Sequence, residues 1–366
     1  MTESIDPYSD AVFKGMEDFR VARYRFIIEA QEEIFLPPYK GSTFRGGFGS
    51  AFKSIACSDR RAECKDCVLS GTCPYAYVFE TAPPEGSQAL SKFERVPHPF
   101  VLEPPLTQQQ QFNPGDVLPV GVVLAGRGID FLPYFIVAFQ ELGRMGIGRG
   151  RGRFRLKGVY AVARTGPCGS PLPSALSHDV RELSLPDCDY QDPLVFDGDT
   201  NKVYTRDIIV KWQDFLESSC IMLENQGSGA SFAALFFDTM TRLKFAGSLE
   251  DRPEFHIIIR SLLRRTSSLL YFHHGTKLGM DFSGFISKAG AIRLASYHTE
   301  WVDWERYSSR QDTRMKLGGI VGSATYEFPE TELARLFLPW LLLAEYVHVG
   351  KGATFGLGGI RLQIVD

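Results

Sequence analysis

FLPYFIVAFQELGRMGIGRGRGRFRLKGV, residues 131–159, recurs without a gap 206 positions later as FLPWLLLAEYVHVGKGATFGLGGIRLQIV, residues 337–365. Ten of the 29 aligned positions are identical: Phe131/Phe337, Leu132/Leu338, Pro133/Pro339, Ala138/Ala344, Gly146/Gly352, Gly150/Gly356, Gly152/Gly358, Arg155/Arg361, Leu156/Leu362 and Val159/Val365. Each copy opens with a Pro at a helix N1 position, runs through about three apolar turns, crosses a glycine-rich loop and ends in a short β-rich segment. The unit is helix, glycine loop, strand, used twice. A repeat at so long a period marks a duplicated domain and not a solenoid.

Upstream of each copy the patterns also agree in kind. Residues 23–36 and the run FAALFFDTMTRLKF are strand-like. Each is followed by a helical stretch: TFRGGFGSAFKSIA (43–56), with Phe44, Phe48, Phe52 and Ile55 on one face, and PEFHIIIRSLLRRTSSLLYF (253–272). VLPVGVVLAG and GIVGSATYEF supply β runs before each repeat. The order strand, helix, two strands, helix, strand predicts an α+β chain of two tandem ferredoxin-like (βαββαβ) domains. The expected boundaries are a tail at 1–20, a first domain at 21–165 with a Cys-rich insert at 57–73, a linker at 166–204 with a small hairpin, and a second domain at 205–366 with its glycine loop at 350–359.

Composition excludes several classes. The 366-residue chain is 44% hydrophobic and 23% charged, as globular proteins are. Its start, MTESIDPYSD, lacks a signal-peptide pattern, and its longest apolar run is short and Pro-interrupted, so the expectation is a cytoplasmic protein. A formal net charge of −3 argues against a general polyanion binder and confines any nucleic-acid contact to local patches.

The most basic patch is the first glycine loop, with Arg144, Arg149, Arg151 and Arg153 and no acid. Glycine turns let backbone N–H groups approach a phosphate, and arginines add paired donors for the same oxygens. The second loop keeps Gly350, Gly352, Gly356 and Gly358 but has only Lys351 as a nearby cation. Arg306, Arg310, Arg314 and Lys316, close to Trp301, Trp304 and Tyr307, form a third candidate surface for phosphates and unpaired bases. On the first helix Arg45, Gly49 and Lys53 make a polar stripe opposite the phenylalanines.

Cys57, Cys64, Cys67 and Cys73 follow the spacing C-x6-C-x2-C-x5-C. The C-x2-C pair offers two thiolates to one tetrahedral ion and the outer cysteines can close it, which points to structural zinc, with an iron–sulfur cluster or no metal as the alternatives.

Taken in order, PYKGSTFRGGFGSAF, the cysteine insert, PHPFVLEPP, YSSRQ and HVGKGATFGLGG make nearly the whole chain resemble the CRISPR-associated RAMP endoribonucleases that process precursor CRISPR RNA, the "Cas six" family. The resemblance implies that a repeat RNA is held by two ferredoxin-like domains, and that the C-terminal glycine loop contacts it. It also implies metal-independent attack of a ribose 2′-OH on the adjacent phosphate, leaving a 2′,3′-cyclic phosphate and a 5′-OH. Such chemistry needs a base, an acid and cations around the phosphorane. Relatives often carry a catalytic His near the first helix, but 43–56 has none. His348, two residues before Gly350, is then the leading histidine, with Lys351, Lys53, Arg45, Tyr39 and Tyr307 as charge donors or substitutes. The expected partners are precursor and mature CRISPR RNA and subunits of an effector complex, with no membrane, nucleotide cofactor or catalytic metal. Two other readings stay open: a noncatalytic RNA-binding subunit of such a complex, and a zinc-stabilised module with an unrelated partner.

Overall fold

A computed structural model describes residues 13–59, 62–81, 96–162, 192–204, 208–224, 231–308 and 313–365, with backbone only at 231, 305–308 and 313–316. The chain divides into two compact units, one of residues 21–209 and one of residues 210–366 together with the first 20.

In the N-terminal unit β1 (Arg20–Ala30) alternates from Ala22 onward, burying Tyr24, Phe26, Ile28 and Ala30 on one face, as a half-covered strand must. After the short β2 (Ile34–Phe35), α1 (Gly41–Ala56) buries Phe44, Phe48 and Phe52, the four-residue spacing seen in the sequence. A short α2 (Pro74–Phe79) follows, then β3 (Phe100–Glu103), β4 (Gln111–Phe112), β5 (Val117–Ala125), α3 (Leu132–Met145) and β6 (Phe154–Ala161). Phe48 of α1 meets Phe135 and Phe139 of α3 at 4.9 and 5.2 Å between ring centroids, closing the helical layer.

The sheet runs β3-β5-β1-β6 and then continues into β7 (Leu194–Asp197) and β8 (Lys202–Val203), antiparallel at each pairing. Strand, helix, two strands, helix, strand is thus the connectivity of β1, α1, β3, β5, α3 and β6. Within the span read as a linker with a small hairpin, β7 and β8 pair antiparallel and extend the sheet; residues 163–191 lie outside the described ones.

The C-terminal unit has the same connectivity. It enters through β9 (Val210–Lys211) and α4 (Trp212–Glu224), and then runs β10 (Ser231–Thr241), β11 (Leu243–Phe245), β12 (Ser248–Glu250), α5 (Phe255–Leu269) and α6 (Phe282–Gly290). It ends with β13 (Arg293–Val302), β14 (Glu305–Ser308), β15 (Thr313–Lys316), β16 (Gly319–Phe328), α7 (Thr331–Val347) and β17 (Ile360–Val365). Its sheet is β13-β16-β10-β17, antiparallel throughout.

Two expectations fail here for physical reasons. Residues 13–20 are not a free tail: Phe13 is buried, its ring 5.4 Å from Trp212 and 6.0 Å from Trp340, because this aromatic cluster offers apolar cover that a polar tail would not need. Pro133 stands in the first turn of α3 as expected, but Pro339 lies inside α7, eight residues past its start. An interior Pro costs a helix about 3 kcal/mol. Here that cost is outweighed by burial of Leu336 through Ala344, which leaves no polar face along which the chain could leave the core.

Candidate nucleic-acid interface

The loop after α3 is rigidly tied. Ile147 N–H donates to Gly152 O (3.0 Å), and Arg149 N–H donates to Phe35 O (3.0 Å) on β2. Gly146 has φ +75°, and a Cβ there would stand 2.0 Å from Arg151 O, so only glycine fits. The arginines are exposed, yet several are already neutralised. Arg153 makes a forked contact to Glu32 (2.6 and 2.8 Å), which holds that carboxyl below its usual range. Arg155 bridges Glu29 and Asp199, and Arg144 lies 3.4 Å from Glu141. Arg149, over the Phe35 ring at 5.3 Å, and Arg151 make no ion pair among the described residues.

The loop after α7 is built differently. Gly358 (φ +75°) brings its backbone so close to Val349 that a Cβ would stand 1.8 Å from Val349 O. Thr239 Oγ1 donates to Gly356 O and accepts from Gly359 N–H, both at 2.8 Å. His348 is only 3% exposed and has φ +62°. Its Nδ1 stands 3.0 Å from Leu357 O; a carbonyl only accepts, so Nδ1 carries the proton. The ring is enclosed by the loop it was expected to serve as a base. Lys351, by contrast, is exposed.

The sequence reading missed the cations that border this second loop. Gly350 N–H donates to Ser261 Oγ of α5 (3.0 Å), and Arg265 Nε donates to Val347 O at the end of α7. Burial pushes the Arg265 guanidinium down to about 10. Arg260 and Arg264, one turn apart on α5, are exposed and make no ion pair among the described residues. The available signal was charge: residues 255–280 hold three arginines and a lysine and no acid.

The other expected residues fall apart by element. On α1 the Arg45 guanidinium lies 5.0 Å from the Phe79 ring and Lys53 Nζ lies 5.6 Å from that of Tyr75, so both cover the aromatic face of α2. They belong to the N-terminal unit, and His348 and Lys351 to the C-terminal one. Arg306, Tyr307, Arg314 and Lys316 sit on the β14–β15 hairpin, where Tyr307 faces Arg314, but their side chains, like all of Arg310, lie outside the described residues. Another group overlooked in the sequence is Lys40, fully buried before α1. Its Nζ donates to Pro38 O (3.1 Å) and Thr107 O (2.6 Å), and burial pushes it down to about 8.

Cys57, Cys64, Cys67 and Cys73 are free thiols lining one cavity of about 180 Å³ with Asp59 and Thr72. Burial, Glu80 and the neighbouring Cys57 and Cys73 push the Cys64 thiol up, against the opposing charge of Lys53. Cys57 Sγ donates to Asp59 O at 3.2 Å and Cys73 Sγ approaches Ala56 O at 4.0 Å. Among the described residues no three His, Cys, Asp or Glu are grouped as they would be around a metal ion. The donor chemistry, four soft thiols around one space, fits a thiophilic ion.

No helix among the described residues is long and apolar enough to cross a membrane.

Residues 235–360 match the family model of the CRISPR-associated endoribonuclease Cas6, and a second family model, an N-terminal domain, matches residues 19–182. An uncharacterised protein of Archaeoglobus fulgidus is 30% identical over 115 residues, 31% of this chain; the match spans only 38% of that relative's length. Among solved structures, Thermus thermophilus Cas6 superposes with a TM-score of 0.51 at 13% identity, covering 94% of this chain and 99% of that one. A partial Cas6-RT-Cas1–Cas2 complex gives 0.51 at 11% identity, with 95% of this chain and 46% of that one. At such identities these structures share the fold. The part of the chain similar to the Cas6 family of CRISPR-associated endoribonucleases takes in α5, the second glycine loop and Lys351.

Proposed function

We propose that the protein binds the repeat of precursor CRISPR RNA and cleaves it without a catalytic metal, retaining the product. In this reaction the ribose 2′-oxygen loses its proton to a base and bonds to the adjacent phosphorus. The bond from phosphorus to the 5′-oxygen breaks, and that oxygen takes up a proton, which leaves a 2′,3′-cyclic phosphate and a 5′-OH. The observation that carries the proposal is the Cas6 family match across the C-terminal unit, with Lys351 exposed on its glycine loop. Both units are read as ferredoxin-like, from their shared strand order.

Lys351 is proposed as the cation for the phosphorane. Enclosure of His348 supports a positioning role, in which Nδ1 holds Leu357 and so the loop. Lysine and arginine on α1 and Tyr307 are secondary candidates. CRISPR-associated proteins are proposed partners. Incubation with the host's repeat RNA in excess EDTA tests the reading: a single cut with a cyclic phosphate end is expected, and a requirement for added metal would overturn it.

The second reading, a noncatalytic RNA-binding subunit, is favoured by the buried His348 and the lack of histidine on α1. Tight repeat binding without cleavage would establish it.

Structural zinc at the four cysteines is also proposed, supported by their shared cavity. About one zinc per chain should be released by a thiol-blocking reagent, and the melting temperature should fall with a strong chelator. Visible absorbance characteristic of iron–sulfur would replace zinc with a cluster.

A further inference from the structure

The cations of this chain fall into two populations. Several arginines are held by a carboxylate, among them Arg153 by Glu32, Arg155 by Glu29, Arg252 by Glu254, Arg293 by Glu327 and Arg361 by Asp238. Among the described residues no carboxylate pairs with Arg260 or Arg264. They stand one turn apart on the solvent side of α5, about 6 Å along its axis, while Ile258, Ile259, Leu262 and Leu263 take the buried side. Arg260 is oriented: its guanidinium lies 5.6 Å from the Phe245 ring of β11, and that ring also meets His256 edge-on, with centroids 5.3 Å apart. Such a contact fixes the side chain without neutralising it.

The same helix is continuous with the second glycine loop through Ser261 and Arg265, which hold Gly350 and Val347. Lys351 follows directly. Two aligned, exposed guanidinium groups that no described carboxylate neutralises, on a helix tied to a loop with an exposed lysine, present a local positive charge that an outside anion can satisfy.

We infer that Arg260 and Arg264 on α5, with Lys351, form a phosphate-binding track that carries the RNA strand away from the C-terminal glycine loop. The inference rests on the RNA-processing reading and extends it to a surface outside the glycine loops. Its ligand is a ribose–phosphate backbone read by charge, so it adds affinity for any sequence presented there and gives none of the base discrimination. On α1, the corresponding helix of the other unit, Arg45 and Lys53 likewise lie against aromatic rings, those of Phe79 and Tyr75.

The test measures repeat-RNA affinity of the full chain by fluorescence anisotropy across a salt series. Arg260→Gln/Arg264→Gln is compared with wild type and with Lys351→Ala, and Arg264→Glu serves as a second variant because its side chain supports no packing. If both arginines meet phosphates, the log–log salt slope of the double variant should be shallower by about 1.4 to 1.8 units. Affinity at moderate salt should drop about tenfold or more, and Arg264→Glu should weaken binding further than removal of that one charge. An unchanged slope and affinity in the double variant, with Lys351→Ala impaired, would overturn the track while leaving the RNA reading intact. Failure of the wild-type chain to bind repeat RNA at low salt would overturn both.

Discussion

His348 combines a left-handed φ with an enclosed ring, a combination that persists only where the surroundings hold it. The histidine was legible in the sequence as a residue beside a glycine loop; its burial was not, because it depends on Leu357 folding back over it. In His348→Asn the amide Nδ2 can take the place of Nδ1, so cleavage should persist with the same pH–rate profile, whereas a general base at this position predicts loss of activity and of one ionisation from the profile. Lys40 gives a prediction in stability. Its folded-state value of about 8 lies below the ordinary 10.5, so between these pH values the unfolded chain holds the extra proton. Stability therefore rises with pH across that window, by at most about 1.4 kcal/mol per pH unit from this group. Thermal melts of wild type and Lys40→Met should diverge with that sign between pH 8 and 10.5; parallel curves would mean the amine is not titrating there. Gly358→Ala should cost about 2 kcal/mol or more, read by chemical denaturation, since its Cβ would collide with Val349 backbone.

The two glycine loops show what charge in a sequence can and cannot disclose. RMGIGRGRGRFRLK reads as the strongest phosphate site because no acid lies within it, but Glu32 and Glu29 come from β1 and its following turn, brought alongside by the sheet. Pairing across a sheet cannot be read from local composition. Glu32→Gln should release Arg153 and steepen the salt dependence of RNA binding by somewhat under ~1 unit, measured as above; no change would place the first loop away from the RNA. The reverse error occurred at α5, where the pattern gave a helix and its arginines were assigned no role. In α7 the repeat alignment located the helix but misplaced its start, since Pro339 resembles an N-terminal residue until the buried run around it is taken into account.

Across the chain, acids slightly outnumber cations, 43 to 40, and the described ion pairs consume much of the positive charge. Unrelated duplex DNA should accordingly bind no tighter than about micromolar at physiological salt, in a competition assay against repeat RNA. The duplication and both sets of core strands were legible because hydrophobic period and glycine spacing are local properties. The packing of residues 13–20 against Trp212 and Trp340 was not, since nothing in a short polar segment reveals a partner 200 residues away. The equivalent arginines make the last point: Arg155 grips Glu29 on the first strand of one unit, and Arg361 grips Asp238 on the first strand of the other, at 2.6 to 2.8 Å. Identity between the two copies thus preserves a brace between first and last strands. Each half of the chain is an internal control for its sibling: what they share was kept for architecture, and where they diverged, one copy was released to acquire an errand of its own.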